Sequence, residues 1–223
     1  MTKVDAIIFD FDGVLIESEF HGNQLLAGLL TELGHPTTTQ EALDHFVGLS
    51  GPQFLGAIER RIGGPLPPRF RERRKAQTAR VLQEGLQAVA GAVDFVRSLP
   101  PQLPRAVASS STTRWIRTHL DHLGLADAFG DHLYSGHEHV EHGKPAPDLY
   151  LYAARQLGID IARCAVIEDS RVGATGALAS GAMVIGLAAG SHCRDGHAEM
   201  LRELGVEHVA HSFDDVRRLT GLG

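Results

Sequence analysis

Four short apolar runs with amphipathic stretches between them set the limits on how this chain folds. They cover residues 4–9, 106–108, 165–167 and 183–187. Each is short and bounded by polar or turn-forming residues, so each reads as a buried strand. The spacing of apolar residues predicts helices over 92–98, 112–123, 149–157, 173–180 and 197–204. Strands alternating with helices predict an α/β fold, a doubly wound parallel sheet with a Rossmann-like core. The alternation breaks once. From about Ile16 to Glu84 no good strand is found, and 23–33, 40–46, 53–62 and 69–83 all read as helical. Gly-Gly-Pro-Leu-Pro-Pro at 63–68 separates the last two. The expected organisation is therefore a core built from 1–15 and 85–223, with a small all-α cap, 16–84, inserted after the first strand. An insert at that point would hang over the carboxyl ends of the strands, where ligands bind in such sheets.

Composition narrows the functional classes. A chain of 223 residues, 43% hydrophobic and 22% charged, can bury a core without covalent staples. Its formal net charge of -6 argues against a general nucleic-acid binder, which needs a basic face. No run of ~18 apolar residues exists, so no membrane span is expected. The first apolar run contains an acidic residue, Asp5, and no small-residue cleavage site follows, which argues against a signal peptide. Two cysteines, Cys164 and Cys193, make no disulfide framework; both read as packing residues of a cytoplasmic protein.

Chemistry gathers where the strands end. Asp10-Phe11-Asp12-Gly13 follows the first strand directly. Carboxylates at i and i+2 of extended chain lie on one side. They repel unless a proton or cation compensates, and a hard cation with oxygen ligands, typically Mg²⁺, is the natural partner. The run Ser109-Ser110-Ser111-Thr112-Thr113 follows the second strand and precedes a helix. Hydroxyls and backbone N–H groups there suit a phosphate, although taken by itself the run is better explained by one hydroxyl acting as a plain helix cap. The chain has three lysines, Lys3, Lys75 and Lys144, among many arginines. Lys144, stiffened by Pro145 and Pro147, offers a compact point charge. Glu168-Asp169-Ser170 supplies a second acidic pair at a strand end.

Taken in order, Asp10-Phe-Asp12-Gly-Val-Leu, Ser109-Ser110, Lys144-Pro-Ala-Pro-Asp and Val166-Ile-Glu168-Asp169-Ser170 resemble the haloacid dehalogenase superfamily. The similarity is to its β-phosphoglucomutase-like branch with a small helical cap, and it covers essentially the whole chain. The resemblance implies that Asp10 attacks a phosphoryl group and becomes an aspartyl phosphate, with Asp12 as general acid and then base. It implies that Ser109, the backbone at Ser110 and Lys144 hold the phosphoryl oxygens. Asp10, the main-chain carbonyl of Asp12 and Asp169 would bind Mg²⁺, with Glu168 close by. The cap loop with Gly48, Leu49 and Ser50 would touch the substrate.

Departures from the branch point to hydrolysis. Phosphoglucomutases carry a basic residue in the cap loop, and here Phe46-Val47-Gly48-Leu49-Ser50 has none. Gly22 stands where a histidine that gates water is expected, with His21 one position off. The expected activity is therefore Mg²⁺-dependent hydrolysis of a small phosphorylated metabolite, a sugar, sugar-acid or polyol phosphate. A phosphomutase is the second reading and a non-catalytic phosphometabolite sensor the third. The expected assembly is a monomer or weak homodimer. His137, His139 and His142 lack metal-ligand spacing and are set aside as a zinc site. The basic run from Arg69 to Arg74 reads as the solvated face of a helix.

Overall fold

The computed structural model of the protein describes residues 4–47, 49 and 51–222. Six strands, β1 (Ala6–Phe9), β2 (Arg105–Ser109), β3 (Leu133–Ser135), β4 (Cys164–Glu168), β5 (Met183–Leu187) and β6 (His208–Ala210), form one sheet in the order β3-β2-β1-β4-β5-β6. Every pairing is parallel, with Phe9 opposite both Val107 and Ile167. The predicted α/β class and doubly wound parallel sheet are what the chain adopts. Parallel strands need long crossovers, and helices supply them.

Four helices, α1 (Ser18–Glu32), α2 (Thr39–Phe46), α3 (Gly51–Ile62) and α4 (Pro68–Glu84), follow β1. The remaining helices alternate with the later strands: α5 (Ala92–Ser98), α6 (Thr113–Leu123), α7 (Ala126–Phe129), α8 (Asp148–Leu157), α9 (Arg171–Ser180), α10 (His197–Glu203) and α11 (Phe213–Thr220). The chain divides into two compact units, one of residues 1–17 and 87–223, the other of 18–86.

Period-two alternation sorts the sheet's side chains between two cores. Ala6, Ile8, Ala106, Ala108 and Val166 face one side and pack with Leu149, Tyr150 and Ala153 of α8 and Ala174 and Ala177 of α9. Phe9 points the other way, meeting Phe95 of α5 edge-on at 6.1 Å and Phe129 of α7 at 5.7 Å between ring centroids. Phe95 in turn lies against Phe213 of α11. Burying each such aromatic or branched side chain stabilises the fold by about 2–3 kcal/mol. Both faces of β1 are thus covered, and its backbone is held at its carboxyl end.

The helical unit has its own core, with Leu26, Leu29 and Leu30 of α1, Ala42 and Phe46 of α2, Ile58 of α3 and Phe70 of α4. Thr38 and Glu41 start α2 with a reciprocal capping box. The basic run on α4 is mostly solvated: Arg69, Arg71 and Arg73 are exposed, Arg73 pairs with Glu32 at the surface, and only Arg74 is half-buried, over the Phe54 ring. No helix among the described residues is long and apolar enough to cross a membrane.

Candidate active site

The order of the sheet reverses about β1, whose neighbours are β2 on one side and β4 on the other. In open α/β sheets the crevice at such a switch point, outside the carboxyl ends of the strands, is where ligands bind. Asp10 and Asp12 leave β1 there, Ser109 ends β2, and Glu168 ends β4 with Asp169 next. Lys144 arrives from the segment between β3 and α8.

Lys144 ties this group together. Its Nζ is hydrogen-bonded to Asp10 Oδ1 and, at 2.6 Å, to Glu168 Oε1. All three side chains are buried, with 4% exposure at Lys144, 8% at Asp10 and none at Glu168. Burial, and after it the Glu168 carboxylate, push the Asp10 carboxyl well above the usual carboxylate range, while the lysine pulls the other way. At Lys144 burial works against the charge. Asp10 and Glu168 outweigh it together, so the ammonium's pKa is held well above its ordinary value. Tyr150 OH donates to Glu168 Oε1 at 2.6 Å; burial and then Glu168 push its phenol up, which keeps the donor proton in place. Glu168 Oε2 accepts from the backbone and hydroxyl of Ser170, which also caps α9. Gly173 on the first turn of α9 is required here: a Cβ would lie 1.9 Å from Glu168 Oε1.

Asp12 sits apart from that pair. Its Oδ2 accepts from Ser111 Oγ at 2.6 Å and Ser109 Oγ at 3.2 Å, and its Oδ1 from Trp115 Nε1 at 3.1 Å. Thr112 caps α6 by accepting from the Trp115 backbone, so the turn that starts the helix also sets the indole. Ser109 is committed to Asp12 and to the Ser111 backbone. Ser110 is exposed at the turn. Gly13, at φ 87°, turns the chain and leaves room for Asp169, whose Oδ2 would lie 2.2 Å from a Cβ there.

Asp10, Glu168 and Asp169 each offer an oxygen within 4.8 Å of the others. Three buried carboxylates, with Lys144 against two of them and His192 against the third, still leave room for further positive charge. Asp169 Oδ1 is buried and has no hydrogen-bond partner, whereas Oδ2 pairs with His192 Nε2 at 2.8 Å. A bare buried carboxylate oxygen is costly, and a hard cation with oxygen ligands satisfies it. The residues fit Mg²⁺ on that ground, with Asp10 and Asp169 as the side chains whose oxygens suit it. Both Glu168 oxygens are already hydrogen-bonded, and the Asp12 carboxylate lies outside the cluster.

Asp10, Lys144, Glu168 and Asp169 thus come together and Ser109 meets Asp12, while Ser110 is exposed. Leu49 belongs to the helical unit, and Gly48 and Ser50 fall outside the described residues. His137, His139 and His142 do not come together as a metal-ligand group among the described residues. His139 instead takes the Ser135 backbone N–H at 3.0 Å. Sequence reasoning missed Ser111, Trp115, Tyr150 and His192. A signal existed for two of them: Ser111 lies in the hydroxyl run, and Trp115, the chain's one tryptophan, stands one turn into the helix that follows. Tyr150 and His192 carry no motif; only packing puts them beside Glu168 and Asp169.

A family model for haloacid dehalogenase-like hydrolases matches residues 4–181. The chain belongs to this family and is a hydrolase by that membership. A hydrolase of the family from Deinococcus radiodurans, solved with bound phosphate and sodium, superposes with a TM-score of 0.87 at 32% identity, covering 100% of this chain and 97% of its own. Among curated proteins, the 6-phosphogluconate phosphatase of Escherichia coli is 25% identical over 193 residues, 86% of each chain. The fructose-1-phosphate phosphatase YqaB of Escherichia coli is 29% identical, over 79% of this chain and 92% of its own.

Proposed function

We propose that the protein is a Mg²⁺-dependent phosphatase of small sugar, sugar-acid or polyol phosphates, working through an aspartyl phosphate on Asp10. The observation that carries this reading is the buried Asp10–Lys144–Glu168 chain at the switch point, with Asp12 held two residues further on by three donors. The phosphatases of 6-phosphogluconate and fructose 1-phosphate among the relatives support the substrate class.

In the first step an Asp10 oxygen forms a bond to phosphorus as the bond to the leaving oxygen breaks, and Asp12 gives that oxygen a proton. In the second, Asp12 takes a proton from water as the water oxygen attacks phosphorus, and the Asp10 carboxylate is released with inorganic phosphate. Lys144 counters the negative charge of nucleophile and phosphoryl group, and Glu168 and Tyr150 fix its position. Ser109, Ser111 and Trp115 hold the Asp12 carboxylate in one orientation for both proton transfers. Mg²⁺ held by Asp10 and Asp169, with the Asp12 carbonyl, would supply further charge neutralisation of the phosphoryl oxygens. Substrate choice is assigned to the helical unit, including Gly48, Leu49 and Ser50. The absence of a basic residue from the loop 46–50 and Gly22 in place of a gating histidine favour hydrolysis over transfer to a second sugar hydroxyl.

The test is a phosphate-release screen over phosphorylated metabolites, with and without chelator. Release should need Mg²⁺ and return when it is restored; full activity in excess chelator would refute the metal assignment. Asp10→Asn should lower turnover more than about a thousand-fold while the circular dichroism spectrum is kept. Retained turnover in that variant, free of deamidation, rules out the covalent route. Faster isomerisation of β-glucose 1-phosphate than phosphate release would instead select the mutase.

A further inference from the structure

On the far side of Asp169 lies a cluster of side chains that hydrolysis does not use. His192 and Cys193 sit in the loop after β5, and His197 opens α10. Each places a ligand atom within 4.8 Å of the other two. His192 Nε2 lies 3.6 Å from Cys193 Sγ, and the two imidazoles stand nearly perpendicular, 5.6 Å apart. His197 Nε2 is 2.8 Å from the backbone oxygen of Asp169, which fixes that ring. His192 is 3% exposed, and its Nδ1 has no hydrogen-bond partner. The backbone makes room for this ring: a Cβ at Gly190 would come within 2.7 Å of it.

The donor set decides what such a cluster can hold. Two imidazole nitrogens and a thiolate are borderline-to-soft ligands that suit zinc, whereas Mg²⁺ and Ca²⁺ take oxygen. Four-coordinate zinc, with bonds of ~2.0–2.3 Å, sets its ligand atoms about 3.3–3.9 Å apart. Atoms already within 4.8 Å need to close by at most about 1.5 Å. Asp169 Oδ2, 2.8 Å from His192 Nε2, or solvent can take the fourth position. Cys193 and His197 are half-buried, so a cation can reach them. A packing role for His192 beside Asp169 would not by itself bring a thiol and a second imidazole to the same point. Of the chain's two cysteines, read from sequence alone as packing residues, only Cys164 is fully buried, with burial pushing its thiol up to about 11.

We propose that His192, Cys193 and His197 form a binding site for a transition-metal cation of the zinc class, next to the oxygen-lined site at Asp10 and Asp169 but built on a different donor set. Cobalt is the probe, because a thiolate–cobalt bond absorbs in the near ultraviolet and oxygen-bound cobalt does not. Metal-stripped protein in excess Mg²⁺ is titrated with Co²⁺. The expected result is a charge-transfer band that saturates at one equivalent and is abolished by Zn²⁺. Cys193→Ser should remove the band. His197→Gln, which keeps the thiolate, should weaken cobalt binding at least tenfold, and so guards against a misfolded serine variant. No band at one equivalent, the same band in Cys193→Ser, or unchanged affinity in His197→Gln would overturn the proposal.

Discussion

Asp12 receives three side-chain donors from a seven-residue stretch, Ser109 to Trp115. If it relays a proton twice, its orientation matters as much as its presence. Trp115→Phe removes the indole N–H but keeps a ring against His119, whose centroid lies 4.2 Å away. Loss of one bond to a carboxylate should lower kcat about 3- to 30-fold and leave KM nearly unchanged, since the bond acts on the proton-transfer group. Steady-state kinetics on the best monophosphate checks this, and a change confined to KM would place Trp115 in substrate binding. Gly173 is the converse case, a residue important for what it lacks. With Glu168 Oε1 1.9 Å from where a Cβ would stand, Gly173→Ala must displace either α9 or the lysine's anchor. A loss of about 3 kcal/mol or more in urea unfolding is expected; a change under about 0.5 kcal/mol would mean that the glutamate moves freely.

Elements differed in how much of themselves the sequence displayed. The strand over 183–187 and the helix over 92–98 were read with the bounds observed, because continuous apolar runs and clean periodicity mark them. Cys164–Glu168 and Arg105–Ser109 extend past their apolar stretches because polar ends still pair in the ladder. β3 and β6 were missed: three residues each, Leu133–Ser135 and His208–Ala210 exist by pairing with a neighbour already in place. α7 and α11 were missed as well, the first only four residues long. The site was legible where chemistry clustered in sequence, at Asp10 and Asp12, the serine run and Glu168-Asp169. It was not where a single side chain reaches in from another element, as Tyr150 does. α6 carries a further consequence of packing. His119 is fully buried there with neither ring nitrogen hydrogen-bonded, and burial lowers its pKa to about 4. In the unfolded chain it titrates near 6.5. Its folded value is the lower, so its contribution to stability is intact above about pH 6.5 and lost as pH falls towards 4. That gap is worth at most about 3 kcal/mol. His119→Leu should therefore gain about 1–3 kcal/mol on the wild type between pH 7 and pH 4; parallel unfolding curves at both pH values would contradict this.

At the scale of the molecule, the helical unit enters and leaves the sheet unit side by side. The Glu17 backbone N–H donates to the Gln87 carbonyl at 2.9 Å, and Ile16 pairs antiparallel with Ala88. Residues 18–86 should therefore be replaceable by a short glycine-rich turn, because the ends to be joined already touch. The excised protein is expected to unfold in one cooperative transition by circular dichroism; a broad, non-cooperative melt would show that the sheet unit depends on the helices. The order of the strands also bears on how the protein is born. Ala6–Phe9 leaves the ribosome well before either strand that flanks it, yet Ile7, Ile8 and Phe9 end fully enclosed. The helical unit can condense in the interval, its contacts being local. β1 must wait for Arg105–Ser109 and then for Cys164–Glu168. At ~5–20 residues per second that is a delay of roughly ten seconds or more, during which an apolar strand tipped with the proposed nucleophile stands uncovered. Nascent chains halted before β4 emerges should then be retained by a chaperone recognising extended apolar segments, and chains halted after it should not.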